Sequence, residues 1–568
     1  MIQSRWFPFP FRQCSLIKTL FLSGLIILPP ATLVASGVYD VRDFGAKGDG
    51  QTFDTVAIQS AIDKASNAGG GKVVLPPGTY LSGSLHLKSH TELFIDKEAT
   101  LLGSASLSDY VRGERHMSQP VNGQQDLINQ SVANAPRYAL LLADGQEDVT
   151  LSGEGTINGQ GRALALDVMR RIEAGEITTP QKHKNMPNEV DRPSIISFGG
   201  CRNVKVTGVT LLDASCWTEI YGNCEDLTVE GIHVDSRKYW NADGIDIVDC
   251  KRVRVSHCDF DSEDDGVCLK SELGGPGCYD VDVSDCRIRS RVQNALKLGT
   301  ASNAGFRKIH ANNLTVDNTR RSAIALECVD GGVLKDVLVE NVHGTNTGNA
   351  IFLRLGHRNT DGPVGELQDV VIRNVNVEIT TNLSRAYPEI NLPPPVLTAL
   401  TSAASPPSKP IEDICPSLIV GLPGYPVRNV RLENITIIYQ GADVPYPNCL
   451  LPAQLDMVPE LPPQYPEFWM FGEMPAWGFY MRHAEGIQFS NVKLVLQEAD
   501  LRAAVVFDDV TRVRAEQLTI SAAPHEPALV MQNVKDASFK NSNFPAAGPG
   551  AVKMQGNCKK IKGLQPSL

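Results

Sequence analysis

The chain has 568 residues, 42% of them hydrophobic and 21% charged, with 48 glycines and 36 prolines. That balance indicates a folded, turn-rich β protein and argues against a mainly helical one. A formal net charge of −11 gives no support to nucleic-acid binding, and an acidic substrate would need Arg or Lys placed locally.

The chain opens with Arg5, Arg12 and Lys18, then the apolar run LFLSGLIIL (20–28), Pro29-Pro30 and small residues around Ala35-Ser36. A basic region, a short apolar region and a small-residue cut site predict a signal peptide over 1–36 and a secreted or periplasmic mature chain. The run is well short of the roughly 20 residues that span a bilayer, so no membrane span is expected in the mature chain. Thirteen cysteines are present; none shows paired C-x-x-C zinc spacing, and in an oxidising compartment some would form disulfides. Helical spacing is confined to TVAIQSAIDKAS (55–66), which is expected to be a capping helix.

From residue 202 a repeat takes over. RNVKVTGVTL, EDLTVEGIHV, KRVRVSHCDF, YDVDVSDCRI, FRKIHANNLTV and LKDVLVENV begin at 202, 225, 251, 279, 306 and 334. A second series interleaves with it: GIDI (244), GVCL (266), ALKL (295), AIAL (323) and AIFL (350). The period is too short for a βαβ crossover, and hairpins of a sandwich would not repeat in phase. The expected fold is therefore all-β, a right-handed parallel β-helix closed at its N-terminal edge by the helix at 55–66. One domain is expected over 37–568, with insertions near 104–142, 158–194, 380–426 and 441–480. The last carries YPEFWMFGEMPAWGFYMRH (465–483); aromatics so dense predict packing, with Trp469 or Trp477 stacking on a sugar as the alternative.

Equivalent positions of a stacked solenoid lie one strand spacing apart, roughly 4.8 Å. Aligning the second series puts Asp243, Asp265, Asn294, Ser322 and Asn349 in one column, with Asp264 beside Asp265 at the same corner. Alternation turns Ile245, Val267, Leu296, Ile324 and Ile351 inward and Asp246, Cys268, Lys297, Ala325 and Phe352 outward. Three crowded acids suit glycosidic hydrolysis: one stays protonated as general acid while the others stay ionised and activate water. An Asn/Asp turn ladder and a Ca²⁺ site are the other readings of the same residues.

With NAD (241–243), SEDD (262–265) and the N-terminal YDVRDFGAKGDGQTFDTVAIQSAIDKA (39–65) in view, the chain resembles glycoside hydrolase family 28, the polygalacturonases and rhamnogalacturonan hydrolases. The resemblance implies Asp264 as general acid, Asp243 and Asp265 holding and activating water, inversion at the anomeric carbon, and neither metal nor cofactor. Two departures stand out: QNA (293–295) puts Asn294 where the family carries a histidine, and AIALE (323–327) replaces its Arg-Ile-Lys. Substrate-binding candidates are then Asn241, Asp246, Asn294, Lys297, Arg321, Arg354 and His357; Arg354 could equally form a surface ion pair with Glu327. The implied partner is a pectic polysaccharide or oligosaccharide, cut by a monomer. A rhamnogalacturonan hydrolase, an exo-acting galacturonidase, a Ca²⁺-dependent lyase and a non-catalytic binding solenoid are the alternatives.

Overall fold

The computed structural model describes residues 37–564 apart from 114–135, 180–186, 273, 381–414, 442–449, 473, 499, 501, 522–526 and 546–549. The leader expected over 1–36 lies outside the described residues, as do most of 380–426 and part of each other expected insertion. Among the described residues, 33 strands join into one sheet system. Short strands within one turn do not pair with each other, whereas the long consecutive strands Gly305–Cys328 and Val333–Leu355, each of which runs through a turn, do. Each strand pairs in parallel with one a full turn away, which winds the chain into a parallel β-helix.

Five strands carry the central turns: β1 (Ile245–Val248), β2 (Val267–Ser271), β3 (Leu296–Ser302), β4 (Gly305–Cys328) and β5 (Val333–Leu355). Their register runs Ile245, Val267, Leu296, Ile324 and Ile351 in one row, as the sequence alignment predicts. The other series needs one correction: Tyr279 pairs with Arg307 and Arg307 with Lys335, one residue beyond the repeat starts read at 306 and 334.

The interior is a stack of aliphatic rungs. Leu269, Leu298, Leu326 and Leu353 are each fully buried, so Leu298→Ala is expected to cost about 2–5 kcal/mol, read as a fall in the denaturation midpoint. Cysteines fill rungs too. Cys201, Cys224, Cys250 and Cys278 occupy one position on four successive turns, and the eleven cysteines described are free thiols, so the disulfides expected are not found among them.

Outside, asparagines in left-handed backbone stack at the turns. Asn374 donates to Asn341 at 3.0 Å, Asn434 to Asn374 at 3.1 Å and Asn491 to Asn434 at 3.0 Å. The predicted turn ladder thus exists, at a different corner from the carboxylates.

The helix α1 (Thr55–Asn67) buries Ile58, Ala61, Ile62 and Ala65 against the first strands. The carboxylate of Asp54, just before it, accepts from the backbone N–H groups of Lys47 (2.6 Å) and Gly48 (3.0 Å). A second helix, α2 (Gly161–Glu173), was not expected. It buries Leu164, Ala165 and Val168 on one side and pairs Asp167 with Arg170 and Arg171.

The outward face of β1 to β5 is the main difference from expectation. Asp246, Cys268, Lys297, Ala325 and Phe352 do alternate with the core rungs, yet all are buried. Residues of 450–474 lie over this face: Leu455, Phe468, Phe471 and Met474 pack with Ala325 and Phe352 in a second apolar cluster. The expectation that the aromatic run is packing holds for Phe468, Phe471, Trp477, Phe479 and Tyr480, while Tyr465 at its start stays exposed. Trp477 is 1% exposed and meets Tyr439 edge-on at 5.2 Å, so it offers no face to a sugar.

Candidate active site

Where that cover ends, the corners before β1 and β2 open into a cleft of about 230 Å³ lined by Asn241, Asp243, Asp264, Asp265 and Lys297. The backbone is drawn tight here. A Cβ on Gly244 would lie 2.4 Å from the carbonyl oxygen of Gly266, and one on Gly266 would lie 2.2 Å from the Ile288 side chain. Gly244 N donates to Asp265 O at 2.8 Å and Gly266 N to Asn294 O at 2.8 Å. The glycines let adjacent turns close up, and this stacks Asp243, Asp265 and Asn294 in one column.

The acids have different surroundings. Asp265 is held by three donor contacts, Lys297 Nζ at 2.9 Å, the Asn294 amide nitrogen at 3.0 Å and the Asn294 backbone N–H at 3.1 Å, with the charge of Lys270 acting at longer range. Burial pushes its carboxyl upward, but Lys297 and Lys270 outweigh that and hold it below the ordinary aspartate range. Asp264 is only partly buried and accepts one backbone hydrogen bond, from Asp265 N at 2.8 Å. Burial, then the charge of Asp265, push its carboxyl up to about 7. Two neighbouring aspartates are thus driven apart, one towards a proton and one towards a charge.

Asp243 sits in a second group. Lys270 Nζ donates to Asp243 Oδ2 at 3.1 Å and also to Asp246, while lying 4.0 Å from the centre of the Trp217 ring. Burial and the nearby Asp246 charge raise Asp243 well above its ordinary value, and burial raises Asp246 to about 6; Lys270 opposes both. Asp243, Asp265 and the thiol of Cys268 are close enough to share an ion. Their oxygens already face two ammonium groups, however, and a thiol is a poor partner for Ca²⁺, so the donor set does not fit that ion.

The other predicted residues divide. Asn241 lines the cleft with its side-chain oxygen accepting from Arg192 at 2.8 Å. Asn294 and Asp246 stand behind the acids and orient them. Arg321 is committed to Glu467 and Gln293, beside the cleft and not lining it. Arg354 is fully buried, donating to the carbonyls of Gly421 (3.2 Å), Glu460 (2.7 Å) and Leu461 (3.2 Å); neither the substrate contact nor the surface ion pair with Glu327 is formed. His357 is tied to the carbonyl oxygen of Gly362 at 3.0 Å and lies away from the cleft. Both were misplaced because the covering segment closes over their turn.

Lys270, Trp217, Gln293 and Tyr465 line the cleft without having been proposed as site residues. Lys270 was legible: the alternation that turns Cys268 outward turns Lys270 outward as well. Tyr465, whose hydroxyl lies 3.3 Å from Lys297 Nζ, comes from an insertion that no repeat pattern places.

Residues 88–287 match the family model for glycosyl hydrolases family 28, and 38–134 that for rhamnogalacturonase A/epimerase, pectate lyase-like. A probable polygalacturonase from Vitis vinifera is 27% identical over 53% of this chain. An exo-poly-alpha-D-galacturonosidase from Dickeya chrysanthemi is 22% identical over 65% of it. The chain spans 59% of the first relative's length and 68% of the second's. The crystal structure of an exopolygalacturonase from Thermotoga maritima covers 81% of this chain, and the chain 92% of that structure, at 20% identity and a TM-score of 0.51, a likeness of fold.

Proposed function

The chain belongs to glycosyl hydrolases family 28, and from that premise we propose that it hydrolyses glycosidic bonds in galacturonate-containing pectin. The observation that carries the reading is the divergence of the two adjacent aspartates, one pushed up to about 7 and its neighbour held low. Asp264 protonates the leaving glycosidic oxygen. Asp243 and Asp265 hold a water on the opposite side of the sugar, and Asp265, the charged one, takes its proton. The water enters from the face opposite the departing group, so the anomeric centre inverts.

In this reading the leader over 1–36 directs the chain to the periplasm or the exterior, and 37–568 work there as one monomeric domain. The coil is right-handed, the hand nearly all parallel strand crossovers take, and α1 caps its first turn against edge pairing.

The test is incubation of the purified chain with homogalacturonan and with rhamnogalacturonan. New reducing ends are expected, insensitive to chelator and without an ultraviolet-absorbing unsaturated product. An unsaturated product lost on chelation would make the protein a lyase. Retention of pectin fragments with no new reducing ends would make it a binding solenoid.

A further inference from the structure

The last described turns of the coil concentrate positive charge. Residues 535–562 hold six lysines and a single acid, Asp536, in a chain of formal net charge −11. The strand β6 (Ala503–Ile520) pairs in parallel with β7 (Lys535–Lys540), and β7 with β8 (Lys559–Lys562). Five of the lysines lie on β7 and β8. Lys535 stands beside Lys559, and Lys562 extends the column of Arg514 and Ser538. Arg512, Asp536 and Lys560 hold equivalent corner positions, each in left-handed backbone.

The acids nearby are already taken. Glu485 binds Arg512 at 2.9 Å, Asp536 binds Arg514 at 2.7 Å and Glu516 binds Lys540 at 2.8 Å. Lys535, Lys559, Lys560 and Lys562 are exposed and form no ion pair among the described residues. Asp536 feels the charges of Lys560 and Lys562 as well as Arg514, so the cations converge on one spot.

Salt screens exposed charges beyond roughly 8–10 Å. A polymer at this patch therefore meets four free ammonium groups on adjacent turns, not the acidic remainder of the chain. The cleft lies well outside that range. The outward column that includes Lys297 reaches Lys553 after seven strand spacings, roughly 34 Å. Lysine also narrows the class of partner. The guanidinium fork suits one shaped anion such as phosphate, whereas an ammonium is a hydrated point charge without that geometry. Point charges one strand spacing apart suit carboxylates repeated along a 1,4-linked sugar chain.

We infer that β7 and β8 form a docking surface for polyuronate, an unesterified galacturonate run of pectin, distinct from the acid cleft. The choice of polymer rests on the pectin-active reading above; its anionic character rests on the lysines. A polymer held there is presented to the cleft at raised local concentration. Lysines on a strand also discourage pairing with another chain, and the two roles differ in what a variant changes.

The experiment replaces the four lysines together (Lys535→Gln, Lys559→Gln, Lys560→Gln, Lys562→Gln) in the full chain. Retention on polygalacturonate is measured by affinity electrophoresis in the Asp264→Asn background, which spares the polymer, with fully methyl-esterified pectin as the uncharged control. The parent is expected to bind the acidic polymer alone, more weakly as salt rises, and the variant at least about tenfold more weakly. With Asp264 intact, the variant's KM should rise several-fold on the polymer and stay unchanged on a trigalacturonate, too short to bridge patch and cleft. Equal retention of parent and variant, or equal retention on the esterified polymer, overturns the inference. So does tighter binding to phosphatidylglycerol vesicles than to polygalacturonate, which would make the patch a membrane contact. A variant that self-associates while keeping its affinity assigns the lysines to edge protection and overturns it as well. Charge-dependent retention lost in the variant, with no new reducing ends from any polymer, removes the hydrolase reading and leaves the docking surface standing.

Discussion

Asp264→Asn lowers turnover on the cleaved polysaccharide at least about a hundredfold, the scale of a lost general acid, with a much smaller change in KM. An amide keeps the volume and the hydrogen bond from Asp265 N but has no proton to give. Because the carboxyl of Asp264 is pushed up to about 7, the parent's activity should fall as pH rises through that value and the acid loses its proton. The variant's residual activity should lack this limb.

Stability should move the other way. A carboxyl raised from its unfolded value near 3.8 to about 7 contributes stability that is complete below pH 3.8 and lost as pH rises through 7. At pH 8 the parent therefore holds a costly charge beside Asp265 that the asparagine variant lacks. Asp264→Asn is expected to melt higher than the parent at pH 8, with the gap closing towards pH 4. A variant that retains near-full turnover would remove Asp264 from the acid role.

How much of this was legible in the sequence depends on which neighbour is asked about. Neighbours along the coil were readable, because strand pairing in a solenoid is fixed by repeat phase. Aligning GIDI with GVCL was enough to stack Asp243 on Asp265, and the observed register agrees. Neighbours across the sheet face were not. Alternation says that Lys297, Ala325 and Phe352 leave the core, but not that Phe468 and Phe471 arrive to cover the last two. Arg354 illustrates the consequence: its column is the right one, yet the covering segment replaces solvent with the carbonyls of Glu460 and Leu461. The helix α2 was hidden for a different reason. It sits inside an insertion outside the repeat, and although it is as long as α1, its buried face is carried by only Leu164, Ala165 and Val168 with Gly161 at its start.

Lys270→Met is expected to damage both stability and chemistry. The ammonium lies on two buried carboxylates, Asp243 and Asp246, and removing one partner of a buried charge group typically costs about 3–5 kcal/mol. Methionine fills most of the space, so the loss is electrostatic in origin and must depend on pH. Asp246 stands at about 6 even with Lys270 present, and without it both carboxyls climb further. Stability tied to groups raised in this way is complete below their unfolded value and is lost as pH rises through the folded one. The deficit of the variant relative to the parent should therefore be large at pH 7.5 and small near pH 4, in thermal melts at the two values. Activity should show the same cause: once Asp243 keeps its proton at higher pH, the acid limb of the rate profile moves upward, and Lys270→Arg should restore part of it. A deficit equal at both pH values, or a rate profile that does not move, would mean that Lys270 only fills space beneath Trp217 and does not set the charge of the acid that holds the water.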